Sequence, residues 1–222
     1  NKIPSSDYWT NPEDAFRTIV AAYSVLKYNG ITGISNNYVM MAMDRNVTNE
    51  GGDYAVYESM TFRTDDSRIS ALYQHLCVGM YRSNLAIENI PKCFEGENED
   101  ASTMNKMLGE AHFLRAFFGY SFTTRFNAPP LITKVFADND DYKRLTNTDQ
   151  QVWLGTVKND CLFAISQLPE SWDPANTGRA TKGAAWFLLG KCYMYAEQWD
   201  SAEYAFARLI DEKIGGYELI LP

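Results

Sequence analysis

Residues 186–206 read WFLLGKCYMYAEQWDSAEYAF, and their spacing specifies a helical hairpin. Trp186, Leu189, Gly190 and Tyr193 stand at W-x2-L-G-x2-Y, and Ala202 and Phe206 follow at A-x3-F. These are the offsets of the tetratricopeptide (TPR) repeat, a helix–turn–helix unit that buries its apolar face by stacking on its neighbours. Gly190 and Ala202 are small where the two helices are expected to cross. Trp186, Leu189, Tyr193 and Phe206 are expected to fill the seam.

The ending of such a unit recurs upstream. AIENIP at 86–91 parallels AISQLP at 164–169, each with an alanine five positions before a proline that stops the helix. Each therefore reads as the second helix of a pair. Spacing of three and four places the helices at 15–26, 69–90, 103–124, 149–168, 181–196 and 200–211. The first is opened by Asn11-Pro12-Glu13-Asp14, with a capping side chain, a first-turn proline and acids at the positive helix end. Asn29-Gly30 is read as its close.

The fold class predicted is all-α, a TPR-like helical-hairpin solenoid with long loop insertions. One domain spans 1–222 with three helical pairs, 12–90, 103–169 and 179–212. In the first two pairs the turn is replaced by an insertion, residues 30–66 and 126–147. Insertions in solenoids tend to lie on one face, often the binding face. Residues 127–142, which contain Pro129-Pro130, read as a loop or short strand.

Composition narrows the function. The chain has 222 residues, 45% hydrophobic and 14% aromatic, so it can bury a sizeable core. Its formal charge of −8 argues against non-specific nucleic-acid binding and against docking on anionic lipid by charge alone. No apolar run approaches the roughly 18 residues of a membrane span. Cys77, Cys93, Cys161 and Cys192 form no CxxC pair and read as buried free thiols.

The motifs of chemistry are sparse. Glu110 and His112 sit two apart on one helix and point to different sides, so they cannot share a metal there. Glu110 and Arg115 lie five apart, about 140° around the axis. Each is expected to reach a neighbouring helix or loop. There is no HExxH or GxSxG, and Asp138-Asn139-Asp140-Asp141 lacks the glycine and distal glutamate of a calcium loop. No catalytic residue, metal or cofactor is predicted.

With these elements placed, the chain resembles the SusD/RagB family of Bacteroidetes outer-membrane nutrient-binding lipoproteins. The likeness spans nearly the whole chain. Its most specific part is GEAHFLRAF at 109–117, which is similar to the family's GEA-x-FLRA-aromatic helix, with Pro130-Leu131 after it. Asp7-Tyr8-Trp9, Tyr81-Arg82-Ser83-Asn84, Thr181-Lys182-Gly183-Ala184-Ala185 and Trp199-Asp200-Ser201-Ala202 fit as well. One departure is Phe126-Asn127-Ala128-Pro129, where the family usually has Phe-Gly-Asp before the Pro-Leu turn. Asn tolerates the left-handed conformation that Gly would take, so the turn is expected to survive.

The resemblance implies a non-enzymatic protein of the outer membrane, lipid-anchored at the cell surface. It implies glycan capture for a TonB-dependent SusC-like transporter. It also implies that this chain is the N-terminal portion, beginning after the anchor, with a C-terminal half beyond it. A peptide-binding member of the family, a generic TPR protein-interaction module and a hydrolase are the alternatives. Sugar recognition needs flat aromatic faces and polar groups for hydroxyls. The insertion at 31–66 supplies both in Asn37, Tyr38, Asp44, Arg45, Asn46, Tyr54, Tyr57, Phe62 and Arg63. These are the predicted ligand-binding residues.

Overall fold

The structure, a computed structural model, describes residues 8–33, 55–96 and 100–217. Six long helices carry the fold: α1 Pro12–Tyr23, α2 Ser67–Asn89, α3 Ala101–Phe126, α4 Gln150–Gln167, α5 Lys182–Tyr195 and α6 Trp199–Ile210. Each packs on the next, and α1 also reaches α3. Among the described residues the only β pairing is an isolated bridge between Pro130 and Asn147. The fold is all-α, as the repeat pattern required, and none of its described helices is long and apolar enough to cross a membrane.

Five of the six helices, all but α6, begin where the sequence offers a side chain to their orphan N–H groups. Asn11 accepts from the Asp14 N–H at 3.1 Å, Asp66 from Arg68 and Ile69, and Asp100 from Thr103. Asp149 accepts from Gln151, and Thr181 from Ala184. Each such cap is worth about 1 kcal/mol.

The end of α1 differs from its reading. The α-helix stops at Tyr23 and tightens into the 3-10 turn Ser24–Lys27. Gly30 is not a left-handed cap. Its N–H donates to His75 Nδ1 at 3.2 Å, and a Cβ there would stand 2.5 Å from that nitrogen. The glycine is required by the close approach of the chain to α2.

The crossing of α5 and α6 follows the repeat. A Cβ on Gly190 would meet the Phe206 ring at 2.6 Å, so a larger residue would push the pair apart. The main core runs through the stack from Leu76 and Met80 on α2, through Leu114, Phe118 and Phe122 on α3, to Trp153 and Leu154 on α4 and Leu189 on α5. A smaller cluster of Ala15, Ile19, Ala86, Ile90, Met107 and Ala111 seats α1. Twelve residues of α3 are buried and occupy more than one face, because α1, α2 and α4 enclose it.

Candidate ligand-binding face

Glu110, His112 and Arg115 of α3 are used up inside the scaffold. Glu110, 0% exposed, accepts from the Tyr23 hydroxyl at 2.8 Å and from Arg179 Nε and Nη2 at 2.9 and 2.5 Å. The Tyr23 oxygen in turn accepts the Ala180 N–H at 2.8 Å. Burial, and then the Glu110 charge, push the Tyr23 pKa well up, so the hydroxyl stays neutral and donates. The Arg179 guanidinium also stacks over Trp172 at 4.0 Å. This clamp joins α1 and α3 to the connection before α5.

A second clamp fixes the second insertion. Asp160 of α4 accepts from Arg115 Nη2 and Nε at 2.7 and 2.8 Å and from His112 Nδ1 at 2.7 Å. Burial alone would raise the Asp160 carboxyl, but the hydrogen bonds from Arg115 and His112 outweigh it and hold its pKa below the usual value. Arg115 Nη1 continues to Asn84 Oδ1 and the Thr133 carbonyl, both at 3.0 Å. Asn84 Nδ2 donates to the Ile132 and Lys134 carbonyls. His112 and Asp160 are paired as two members of a catalytic relay would be, yet Arg115 engages both carboxylate oxygens and Phe163 packs on the imidazole at 4.1 Å.

The outward side of α2 is different. Tyr73, Cys77 and Tyr81 lie at i, i+4 and i+8 and so share one face. Tyr73 is 36% and Tyr81 43% exposed. They line a hollow of about 370 Å³ completed by Pro130, Ile132, Tyr142 and Leu145 of the second insertion. Tyr73 also walls an adjoining hollow of about 270 Å³, with Thr64, Ser70 and Gln74. The two hollows share Tyr73, and this α2 trough carries Tyr81 and Tyr142 in one part and Thr64, Ser70 and Gln74 beside Ile69 and Phe126 in the other.

Its parts are held from behind. The Tyr73 ring meets Phe122 and Phe126 edge-on at 4.8 and 5.1 Å. Tyr142 packs edge-on against Phe136 and accepts its N–H at 3.2 Å. Glu88 accepts the Val135 N–H at 2.7 Å. Burial pushes the Cys77 thiol up to about 11, so it lines the trough as a small apolar group and not as a thiolate.

The predicted ligand residues are divided by the structure. Asn37, Tyr38, Asp44, Arg45, Asn46 and Tyr54 lie outside the described residues. Tyr57 is fully buried in the one-turn helix Ala55–Glu58, and its hydroxyl donates to Asp66 at 2.6 Å. There it serves the start of α2. Phe62 packs on Tyr57 with ring centroids 5.7 Å apart. Arg63 is exposed and pairs with Asp65 at 2.9 Å. Since Asp66 caps α2, the last residues of the first insertion arrive beside the trough, and Thr64 lines it. Tyr73, Tyr81 and Tyr142 were not among the predicted ligand residues, although Tyr81 belongs to the family-like Tyr81-Arg82-Ser83-Asn84 and the four-residue spacing on α2 marks a face.

The acidic cluster after Pro130 is engaged locally. Asp138 caps the one-turn helix Asn139–Lys143, while Asp140 pairs with Lys143 at 2.6 Å and Asp141 with Arg144 at 3.4 Å. Among the described residues no three His, Cys, Asp or Glu side chains gather as a metal-binding group.

Comparison with known proteins places this architecture. The profile of a SusD-like family described as "Starch-binding associating with outer membrane" matches residues 13–194. A SusD-like protein of Formosa agariphila is 23% identical over 209 residues, covering 90% of this chain and 39% of that protein. A SusD-like protein of Bacteroides fragilis superposes with a TM-score of 0.80 at 21% identity, over 98% of this chain and 41% of its own. A structure described as a laminarin-binding SusD-like protein gives 0.76 at 20% identity, over 90% and 43%. The chain thus spans about two fifths of the length of these relatives.

Proposed function

The chain belongs to the SusD-like family, and from that membership we propose that it captures glycans at the outer membrane without transforming them. The observation that carries the reading is the trough on α2, whose tyrosine faces suit the C–H patches of sugar rings. Thr64 at the end of the first insertion lines this trough, and Phe62 and Arg63 directly precede it. Of the other predicted residues, Asn37, Tyr38, Asp44, Arg45, Asn46 and Tyr54 are proposed contacts of the same glycan, whereas Tyr57, buried beneath the start of α2, is not. Glu110, His112, Arg115 and Asp160 are committed to buried clamps, which supports binding over catalysis. Delivery to a SusC-like TonB-dependent transporter and attachment by a lipid anchor complete the proposal.

Isothermal titration against a panel of oligosaccharides and peptides tests it. Heat from oligosaccharides, abolished or weakened by Tyr81→Ala, supports the glycan reading. Heat from peptides alone replaces it with a peptide-binding role. A reducing-sugar assay that detects turnover would make the protein a hydrolase. Pull-down from outer membranes tests the partner: recovery of a large β-barrel transporter supports delivery, and recovery of soluble proteins alone supports a generic TPR module.

A further inference from the structure

A larger hollow lies on another part of the solenoid, between α4 and the turn that joins α5 to α6. It encloses about 740 Å³, within the range of roughly 300–1,000 Å³ typical of small-molecule sites. Trp199 stands at its edge and is 63% exposed, whereas Trp153 is fully buried and Trp9, Trp172 and Trp186 are half-buried. Asn159, Gln198 and Ser201 bring neutral donors and acceptors to the same hollow. Lys158 donates to Gln198 Oε1 at 3.1 Å and lies over the Tyr193 ring at 5.5 Å.

Gly155 is the independent clue. It sits inside α4, where glycine is disfavoured relative to alanine. The other glycines in the long helices are pressed against neighbours: Gly79 by Phe118, Gly109 by Gln167 and Leu168, Gly119 by Trp153, Gly183 by Tyr217 and Gly190 by Phe206. A Cβ on Gly155 would meet nothing within 4 Å. No described packing requires this glycine, and its effect is to leave open space in the lining of the hollow that Trp199 shares.

We propose that this hollow is a second glycan subsite, in which a sugar ring stacks on Trp199 over the space left by Gly155. The charges select the class of ligand. Lys158 is committed to Gln198 and Tyr193, and Glu197 and Asp200 add negative charge, so a neutral glycan fits better than an acidic one. A peptide finds little here, because Leu162 is the one aliphatic side chain on the walls. Two subsites on one scaffold would let a polysaccharide chain be held at two points, raising avidity without new contacts at either.

The proposal rests on the glycan-binding reading, and one experiment separates the two. Acrylamide quenching of tryptophan fluorescence is measured on the full chain with and without laminarin or soluble starch. Affinity electrophoresis through gels of the same polysaccharides runs beside it. Trp199, as the exposed tryptophan, dominates the quenching. Protection by polysaccharide, lost in Gly155→Leu and kept in Tyr81→Ala, supports the second subsite. Loss of one stacking contact in Trp199→Ala is expected to weaken retention about 2- to 10-fold. Gly155→Leu places its side chain in open space and is expected to melt no lower than the wild type, so loss of protection there is not unfolding. Retention by the gel with unchanged quenching overturns the Trp199 subsite alone. Retention of neither polysaccharide overturns both readings.

Discussion

Helices α2 and α3 invert the roles that side-chain chemistry would assign them. On α3 the polar residues Glu110, His112 and Arg115 are bound into internal clamps. On α2 the aromatic residues Tyr73 and Tyr81 stay partly in solvent. The cause is position in the stack. α1, α2 and α4 enclose α3, so any polar group on it must find a partner inside. One side of α2 is roofed only by an insertion, which leaves a trough. The residues that resemble chemistry are scaffold, and those that resemble core are the candidate contact surface.

The strongest way to break that contrast is to strip a clamp of its cation. Arg179→Met leaves the Glu110 carboxylate unpaired at a position with 0% exposure. Stranding a buried charge costs about 3–5 kcal/mol, which urea unfolding followed by circular dichroism will register. Tyr81→Ala on the other helix should shift the same curve by less than about 0.5 kcal/mol. Equal stability losses for the two variants would mean that the clamp is not structural.

Acid titrates the second clamp. The Asp160 pKa lies below its ordinary 3.8 in the folded protein, because Arg115 and His112 outweigh the burial that would raise it. A carboxyl held lower in the folded than in the unfolded state stabilises fully above the ordinary value. That contribution is lost as pH falls through the lower folded value. Urea midpoints of wild type and Asp160→Asn should therefore keep their full gap at neutrality and begin to draw together only as pH falls below about 4. A constant gap down to pH 3 would assign the variant's defect to packing and not to the charge.

The contact surface should respond in the opposite sense. Tyr81→Ala is expected to weaken oligosaccharide binding by about 0.5–1.5 kcal/mol, read by titration calorimetry, with the fold intact. Tyr73→Ala should lower both affinity and stability, since that ring also packs on Phe122 and Phe126. A Tyr81 variant with unchanged affinity would move the site away from the α2 trough, towards the first insertion.

How far the sequence could be read follows from what each signal encodes. The repeat offsets specify which faces meet within a pair, so the Gly190–Phe206 seam was readable from 186–206 alone. Spacing on α3 indicated that Glu110 and Arg115 point apart, and therefore that each needed its own partner. It could not name them, because Arg179 lies 69 residues and Asp160 45 residues away. Such partners depend on how the helices stack. The Tyr73–Cys77–Tyr81 spacing reads equally as a core stripe, and only the exposure of that face separates the two. Tyr57 shows the reverse error: its residue type suits a sugar platform, while its burial and its bond to Asp66 place it under the start of α2.

The smallest effect concerns the link between the two regions, where α3 gives way to the insertion that roofs α2. Asn127 has φ +61° and ψ −81°, and the Ala128 N–H donates to the Phe126 carbonyl at 2.8 Å around it. This is the rare γ-turn with positive φ, which strains any residue with a Cβ. The turn directs the chain so that Pro129 can accept the Trp153 Nε1–H at 2.6 Å and Thr123 Oγ1 can reach the Asn127 carbonyl at 3.0 Å. Glycine takes this conformation without a steric cost, but its unfolded chain is freer by about 0.5–1 kcal/mol. Relief of strain should outweigh that, so Asn127→Gly is expected to raise unfolding stability by up to about 1 kcal/mol. Asn127→Val, β-branched and least tolerant of positive φ, should lower it. The pair of signs is the test: two losses would show that the Asn127 side chain itself supports the turn, and two gains that the strain lies elsewhere.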